Sequence, residues 1–295
     1  ILMKEAGDMA EEPRSNMGKV GYVITVGKTR EEAIRINDLA REILKIEIGA
    51  SNDLTWDIIR NNARKKFYIA CKACVVCDGL ECAGKVPGIG GIGTGSSFTE
   101  NLTALARYQV NLRTIHDIKT PDTSVELFGH KLALPVLAEP ITGMETNLAG
   151  GMDEREYADA ILDGCLECGT LGMVGDGASP KKYLIGLEAI KKRGGLGIPI
   201  FKPREYNLDI IKRFKAAEDA GAIAVGIDID AASFKTMTLK GQAVGPKTIT
   251  ELQELKSQLK VPFILKGIMN VESALAAIEA GADAIVVSNH GGRVM

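Results

Sequence analysis

The stretch from Val261 to Met295 constrains this chain more than any other. It reads Val-Pro-Phe-Ile-Leu-Lys-Gly, then a run with helical spacing, then Ala-Asp-Ala-Ile-Val-Val-Ser-Asn-His-Gly-Gly-Arg. Two short apolar runs, Phe263–Leu265 and Ala284–Val287, lead into Lys266 and His290. Between them Val271–Ala280 carries Ala and Leu at helical intervals, and Gly281 follows as a C-cap. This is a β-α-β unit with its polar residues at the carboxyl ends of the strands, the edge where parallel α/β folds place ligands and chemistry. A buried strand has no packing use for Lys, His and Arg at its end. The plain alternative is a hydrogen-bonded turn histidine and a snorkelling lysine.

The same alternation runs from Pro121 onward. Strands are expected at Leu132–Ala138, Leu171–Gly175, Ile198–Lys202, Ala222–Asp228, Pro262–Lys266 and Ala282–Ser288. Helices are expected at Glu154–Cys168, Lys182–Arg193, Leu208–Ala220, Pro246–Lys260 and Val271–Ala280. Repeated β-α units with apolar strands imply a parallel sheet.

Ser288-Asn289-His290-Gly291-Gly292-Arg293, preceded by the strand end Lys266-Gly267, resembles the active-site signature of the FMN-dependent α-hydroxy-acid oxidases and dehydrogenases. The resemblance runs from about Ser51 to the end and is closer to a bacterial branch with a Cys-rich N-terminal segment. It implies a (β/α)8 TIM-type barrel, FMN as cofactor, a small 2-hydroxy acid such as lactate as substrate, a separate electron acceptor, and a homo-oligomer. A full barrel needs eight strands and about 250 residues. Pro121–Met295 offers about 175 residues and six strands, so an incomplete barrel is expected, and the chain reads as a fragment at both ends.

The resemblance implies a role for each matching position. His290 is the candidate base, since imidazole titrates near neutral pH. Asp228 occupies the place of the carboxylate that pairs with it, with Asp230 as competitor. Arg293 offers a fork for the substrate carboxylate. Lys266 would set positive charge beside the flavin edge that becomes negative on reduction. Pro140, Ile141 and Thr142 match the segment whose backbone lines the flavin, and Gly175, Lys202 and Ser288 complete the expected cofactor set. There are departures. Glu139 stands where a small residue is usual, Lys202 where the oxidases carry Gln and Tyr nearby, and Lys235 where an Arg is common. No counterpart of the N-terminal substrate Tyr is found. Flavin chemistry therefore carries over better than any named hydroxy acid. Other readings are a flavin-dependent isomerase resembling type 2 isopentenyl-diphosphate isomerase, and an inactive fragment or thiol-metal module.

Ahead of the barrel, Cys71, Cys74, Cys77 and Cys82 fall within twelve positions. Such spacing favours a metal or redox site over disulfides. The run resembles ferredoxin-type ligands of an iron–sulfur cluster, with one residue more in the last gap; zinc is the other candidate. Cys165 and Cys168, on a later apolar helix, are expected in the core. Gly88–Gly95 contains a formal G-x-G-x-x-G, but a Cys-rich loop precedes it rather than a strand, so it is not a dinucleotide fingerprint. Ser97 and Glu100 are placed as a capping box for a helix through Leu102, Leu105, Ala106 and Val110, and Leu54–Ala63 is expected to be helical.

Residues 1–50 form a separate N-terminal β-α appendage: a strand at Val20–Val26, then a helix opened by Thr29 and Glu32 as a capping box. Gly21–Ala33 resembles the closing strand and helix of ATP-grasp ligases, which implies a domain tail without a nucleotide site. Residues 51–120 are a helical lead-in and 121–295 the barrel. A net charge of −2 gives no pull toward nucleic acid. No run of eighteen apolar residues suggests a membrane span, and the first residues lack a signal-peptide core, so the cytoplasm is the expected location.

Overall fold

In a computed structural model of the chain, the described residues are 55–67, 70–82 and 91–294, with Thr29, Glu31, Glu32 and Arg35. The chain divides into two compact units, Ile1–Ile59 and Arg60–Met295. In the first, the Glu32 backbone N–H donates to Thr29 Oγ1 at 3.2 Å, one arm of the expected capping box; the strand placed at Val20–Val26 lies outside the described residues. Helix α1 spans Trp56–Lys66, and Thr55 Oγ1 accepts from the Ile58 N–H at its start (3.3 Å).

In the second unit, α2 covers Ser96–Ala106. It is entered through Gly95 at φ 74°, with no side-chain cap. The Ser97 capping box is therefore corrected: a left-handed glycine turns the chain into the helix and Ser97 already lies inside it. Val110, expected on this helix, lies beyond it and is solvent-exposed. Strands β1 (Val125–Leu127) and β2 (His130–Leu132) pair antiparallel. Phe128 and Gly129 make the turn at φ 50° and 78°, the doubly left-handed geometry that matches hairpin twist. The strand expected at Leu132–Ala138 thus splits: Leu132 ends the hairpin, and the sheet strand begins only at Ala138.

The sheet is parallel and runs in chain order: β3 (Ala138–Ile141), β4 (Gly172–Gly175), β5 (Ile198–Phe201), β6 (Val225–Asp228), β7 (Phe263–Lys266) and β8 (Ala284–Val286). Helices α3 (Met144–Asn147), α4 (Glu154–Glu167), α5 (Pro180–Lys192), α6 (Asn207–Asp219), α7 (Lys235–Leu239), α8 (Ile249–Ser257) and α9 (Val271–Glu279) alternate with the strands. Asp153 caps α4, Thr248 and Glu251 form a capping box on α8, and Asn270 caps α9. In a flat sheet β3 and β7 would stand about 19 Å apart, four strand spacings. Yet Lys266 Nζ on β7 reaches Glu139 Oε2 on β3 at 3.2 Å. The sheet is rolled, six strands of a barrel wall.

Strand parity sets what faces inward. Ile198, Ile200 and Ile264 pack together inside the roll, whereas Phe201, Phe263 and Leu265 join the layer beneath the helices. Phe201, Phe214 and Phe263 continue that layer as an aromatic chain, with centroids 6.2 and 5.9 Å apart. Counting two residues on from the inward Ile200, Gly226 and Ile264 gives Lys202, Asp228 and Lys266. The all-apolar strands therefore deliver three charged side chains to the interior at the carboxyl edge.

Candidate active site at the carboxyl edge of the sheet

The turn after β8 carries the signature. His290, Gly291 and Gly292 sit at φ 59°, 64° and 69°, three left-handed residues in succession. A β-carbon on Gly292 would lie 2.6 Å from the Phe98 backbone N, so the turn presses its backbone against α2. Ile92 N donates to Gly292 O (2.9 Å). Asn289 exchanges amide hydrogen bonds with Asn101 (2.9 and 3.2 Å) and donates to Ser97 O (3.2 Å). The glycine-rich approach and α2 are thus a buttress that holds a histidine in a backbone region non-glycine residues seldom enter.

His290 Nδ1 lies 3.0 Å from Asp230 Oδ1, while its Nε2 is 3.8 Å from Asp228 Oδ2 and 3.5 Å from Lys202 Nζ. This corrects the expected pairing: the hydrogen-bonding carboxylate is Asp230, from the 3-10 turn Ile229–Ser233. Asp228 is taken by Lys202, whose Nζ is 2.6 Å from Oδ2. Burial pushes the Asp228 carboxyl above the usual carboxylate range, and the Lys202 ammonium and then His290 oppose that shift. The Phe234 ring stacks beside His290 at 5.2 Å and lies under Lys202 (4.6 Å) and Arg293 (5.5 Å). Arg293 donates from Nη2 to Asn147 Oδ1 at 2.9 Å. Its Nε has no partner, and burial lowers its pKa.

These groups open on one cleft of about 620 Å³, counting its open mouth. Pro140, Ile141, Thr142, Gly175, Lys202, Asp228, His290 and Arg293 all line it, so eight of the expected positions converge. Lys266 and Ser288 stand just behind the lining. Ser288 Oγ accepts from Lys266 Nζ (2.8 Å) and from the His290 backbone N–H (3.0 Å), so one hydroxyl joins the lysine to the histidine. Glu139, unexplained in sequence, is the ion-pair partner of Lys266. The walls are braced by acids already satisfied. Glu154 accepts from the Thr142 hydroxyl, Gly143 N and Met144 N. Asp176 accepts from Lys202 N and Arg204 Nη2. Phe234, Asn147, Asp176 with Arg204, Lys182 and Lys240 were not singled out from sequence as site residues; loop residues and helix starts carry no periodic signal.

The cysteines lie outside this cleft. Cys71, Cys74 and Cys82 are half-buried and Cys77 is exposed. Among the described residues no three thiols come within 4.8 Å of one another, and the one such group of potential ligands is Asp228, Asp230 and His290. Cys168 is exposed at the end of α4 and is not the core residue expected, whereas Cys165 is half-buried with its Sγ facing the sheet, 3.4 Å from where a β-carbon on Gly172 of β4 would lie.

The fold and the edge at which its polar groups gather define a barrel protein of the α/β class with its site at the strand carboxyl ends. The chain belongs to the FMN-dependent dehydrogenase family, whose model matches residues 89–251 and 231–295. Similar proteins include a 4-hydroxymandelate oxidase of Amycolatopsis orientalis, 28% identical over 69% of this chain and 64% of that one. An L-lactate oxidase of Lactobacillus jensenii is 27% identical over 67% and 54%. The chain thus spans between half and two thirds of the length of these relatives. A crystal structure of mandelate oxidase superposes with a TM-score of 0.60 at 25% identity, over 80% of this chain and 69% of that chain. A mandelate oxidase with benzoyl-formic acid gives 0.56 at 29%, over 70% and 62%. Residues 2–49 match a different model, the L-amino acid ligase C-terminal domain 2. Among the described residues no helix is long and apolar enough to cross a membrane.

Proposed function

We propose that this chain carries the catalytic edge of an FMN-dependent enzyme that oxidises a small, lactate-like 2-hydroxy acid to the 2-oxo acid. The observation that carries the reading is the 3.0 Å contact between His290 Nδ1 and Asp230 Oδ1. An Nδ1–H donated to Asp230 leaves the Nε2 lone pair, 3.5 Å from Lys202 Nζ, as the base for the substrate hydroxyl proton. Once protonated, the imidazolium faces Asp228, which stabilises it. Arg293 supplies a guanidinium whose buried Nε–H has no partner, suited to the substrate carboxylate.

The cleft fits a flavin. Ile141 is 47% exposed on its floor, apolar surface that a flat ring would cover beside the Pro140–Thr142 backbone. Asp228 Oδ1 and Arg293 Nε are buried without partners. Lys266, held by Ser288 (2.8 Å) and paired with Glu139, is the cation the family resemblance sets beside the flavin edge that becomes negative. When bound, FMN supplies the acceptor for the hydride from the substrate α-carbon. The test is anaerobic titration of the FMN-loaded chain. L-lactate is expected to bleach the flavin, and an isoprenoid diphosphate is not. A flavin untouched by any 2-hydroxy acid sinks the proposal.

For the Cys run we propose an iron–sulfur cluster rather than zinc. A single tetrahedral zinc ion would draw four sulfurs to about 3.8 Å from one another, from Zn–S bonds of about 2.3 Å. The thiols are not gathered so tightly, and a cluster spreads its ligands over a wider cage. Burial raises the Cys77 and Cys82 thiols, and the neighbouring thiols raise both further. The loop packs on α2: Thr99 Oγ1 donates to Asp78 O at 3.2 Å, and Gly79 lies against Phe98. That helix also buttresses the His290 turn, which suits a centre passing electrons to an outside carrier. Protein purified without oxygen should hold about four iron and four sulfide per chain; zinc without sulfide refutes this.

A further inference from the structure

The cleft holds more positive charge than one substrate carboxylate requires. Lys182, Lys202, Lys240 and Arg293 all line it. Lys202 is neutralised by Asp228, and Arg293 matches one carboxylate. Lys182 and Lys240 are left over. Among the described residues no carboxylate oxygen lies within 4.0 Å of either ammonium.

Lys182 is not a loose surface lysine. It comes from the first turn of α5 and is half-buried. Its Nζ would be 2.9 Å from a β-carbon on Gly143, and its Cδ 2.7 Å from one on Gly177. Two side-chain-free positions from neighbouring loops therefore form the slot it occupies. Burial lowers its pKa, Glu154 counters that shift and Lys240 adds to it. Glu154 is already held by Thr142, Gly143 and Met144, and Asp176 by Arg204; Glu145 attracts Lys182 less than Glu154 does. Half-burying an ammonium near a second one, with no counter-charge in contact, is unfavourable in the empty cleft. An anion seated between Lys182 and Lys240 removes that cost.

We propose that the substrate carries a second anionic group, a carboxylate or phosphoryl, which Lys182 and Lys240 bind in the cleft that Arg293 also lines. This rests on the 2-hydroxy-acid reading and narrows it from lactate-like acids to dianionic ones.

The test compares anaerobic reduction of the FMN-loaded full chain by L-lactate, L-malate and L-2-hydroxyglutarate. One dianionic acid should exceed lactate in kcat/KM by about tenfold, one good charge-assisted contact. In Lys182→Met/Lys240→Met that advantage should vanish. Lactate matching or beating both dianions overturns the inference while the oxidase reading stands. If no hydroxy acid reduces the flavin, the oxidase reading fails and a flavin-independent arm decides this one: calorimetry of malonate against acetate. Malonate should bind the unmodified chain more tightly than acetate and lose that advantage in the double variant. Equal binding of both acids overturns the proposal. So does a double variant that loses FMN but keeps riboflavin, since the lysines would then serve the flavin phosphate.

Discussion

His290→Asn in the FMN-loaded chain should fold, keep its flavin, and lose roughly 10²–10⁴-fold in the rate of flavin reduction by its hydroxy acid, the usual worth of a positioned general base. Asparagine is the right replacement because position 290 sits at φ 59°, where Asn is tolerated far better than most residues. The loss then reports chemistry rather than a broken turn. Asp230→Asn makes the argument sharper. It replaces the carboxylate 3.0 Å from Nδ1 by a neutral amide of the same shape that can donate as well as accept. An Asn amide donating to Nδ1 moves the ring proton to Nε2, where it blocks abstraction. Asp230→Asn should therefore cost a large part of what His290→Asn costs, with the flavin spectrum intact. Stopped-flow reduction under argon is the measurement. A His290→Asn protein that still reduces within a few-fold of the unmodified rate removes the imidazole from the chemistry.

Much of this site was legible because parallel strands are blunt instruments. A strand of four apolar residues has no reason to finish on Lys202, Asp228 or Lys266 unless the carboxyl edge uses them, and parity then fixes the face. The Ser288–Arg293 signature was legible through its resemblance to the FMN-dependent α-hydroxy-acid enzymes, and the three consecutive positive φ values at His290–Gly292 account for its glycines. What escaped was whatever the loops decide. Asp228 and Asp230 are two residues apart and chemically identical in sequence. Only the 3-10 turn at Ile229–Ser233 brings Asp230 to Nδ1, while Lys202 claims Asp228. The first sheet strand slipped because Leu132 belongs to a hairpin closed by Phe128 and Gly129, and the apolar run Leu132–Ala138 shows no break between the two elements. Ser97 lost the capping role to Gly95 because a left-handed residue can turn the chain into a helix with no side-chain cap at all. Lys182 gave no signal, since a lysine in a helix's first turn is ordinary until two glycines make it a slot.

The second large effect falls on stability. Lys202 and Asp228 form an ion pair at 2.6 Å with side chains only 7% and 6% exposed. Removing one partner of such a pair strands the other charge, which typically costs about 3–5 kcal/mol. Lys202→Met, close in length and apolar, should lower the unfolding free energy at neutral pH by that order. Asp228 has no substitute ligand: its Oδ1 is already unpartnered, and His290 Nε2 is 3.8 Å from Oδ2. The pH dependence has a definite sign. Burial already holds the Asp228 carboxyl above its usual range, and losing the ammonium moves it further the same way. A carboxyl with a raised folded-state pKa favours folding when protonated. That contribution is complete below the unfolded-state value and is lost as pH rises through the folded-state one. Lys202→Met should therefore regain stability on mild acidification, while the unmodified chain shows a smaller gain there. Lys202→Met/Asp228→Asn, which buries no charge, should recover most of the neutral-pH loss. Urea unfolding at two pH values, followed by circular dichroism, measures all three chains. A single variant with an unshifted midpoint at neutral pH would mean that Asp228 is protonated or hydrated at no cost, and that Lys202 is present for the substrate alone.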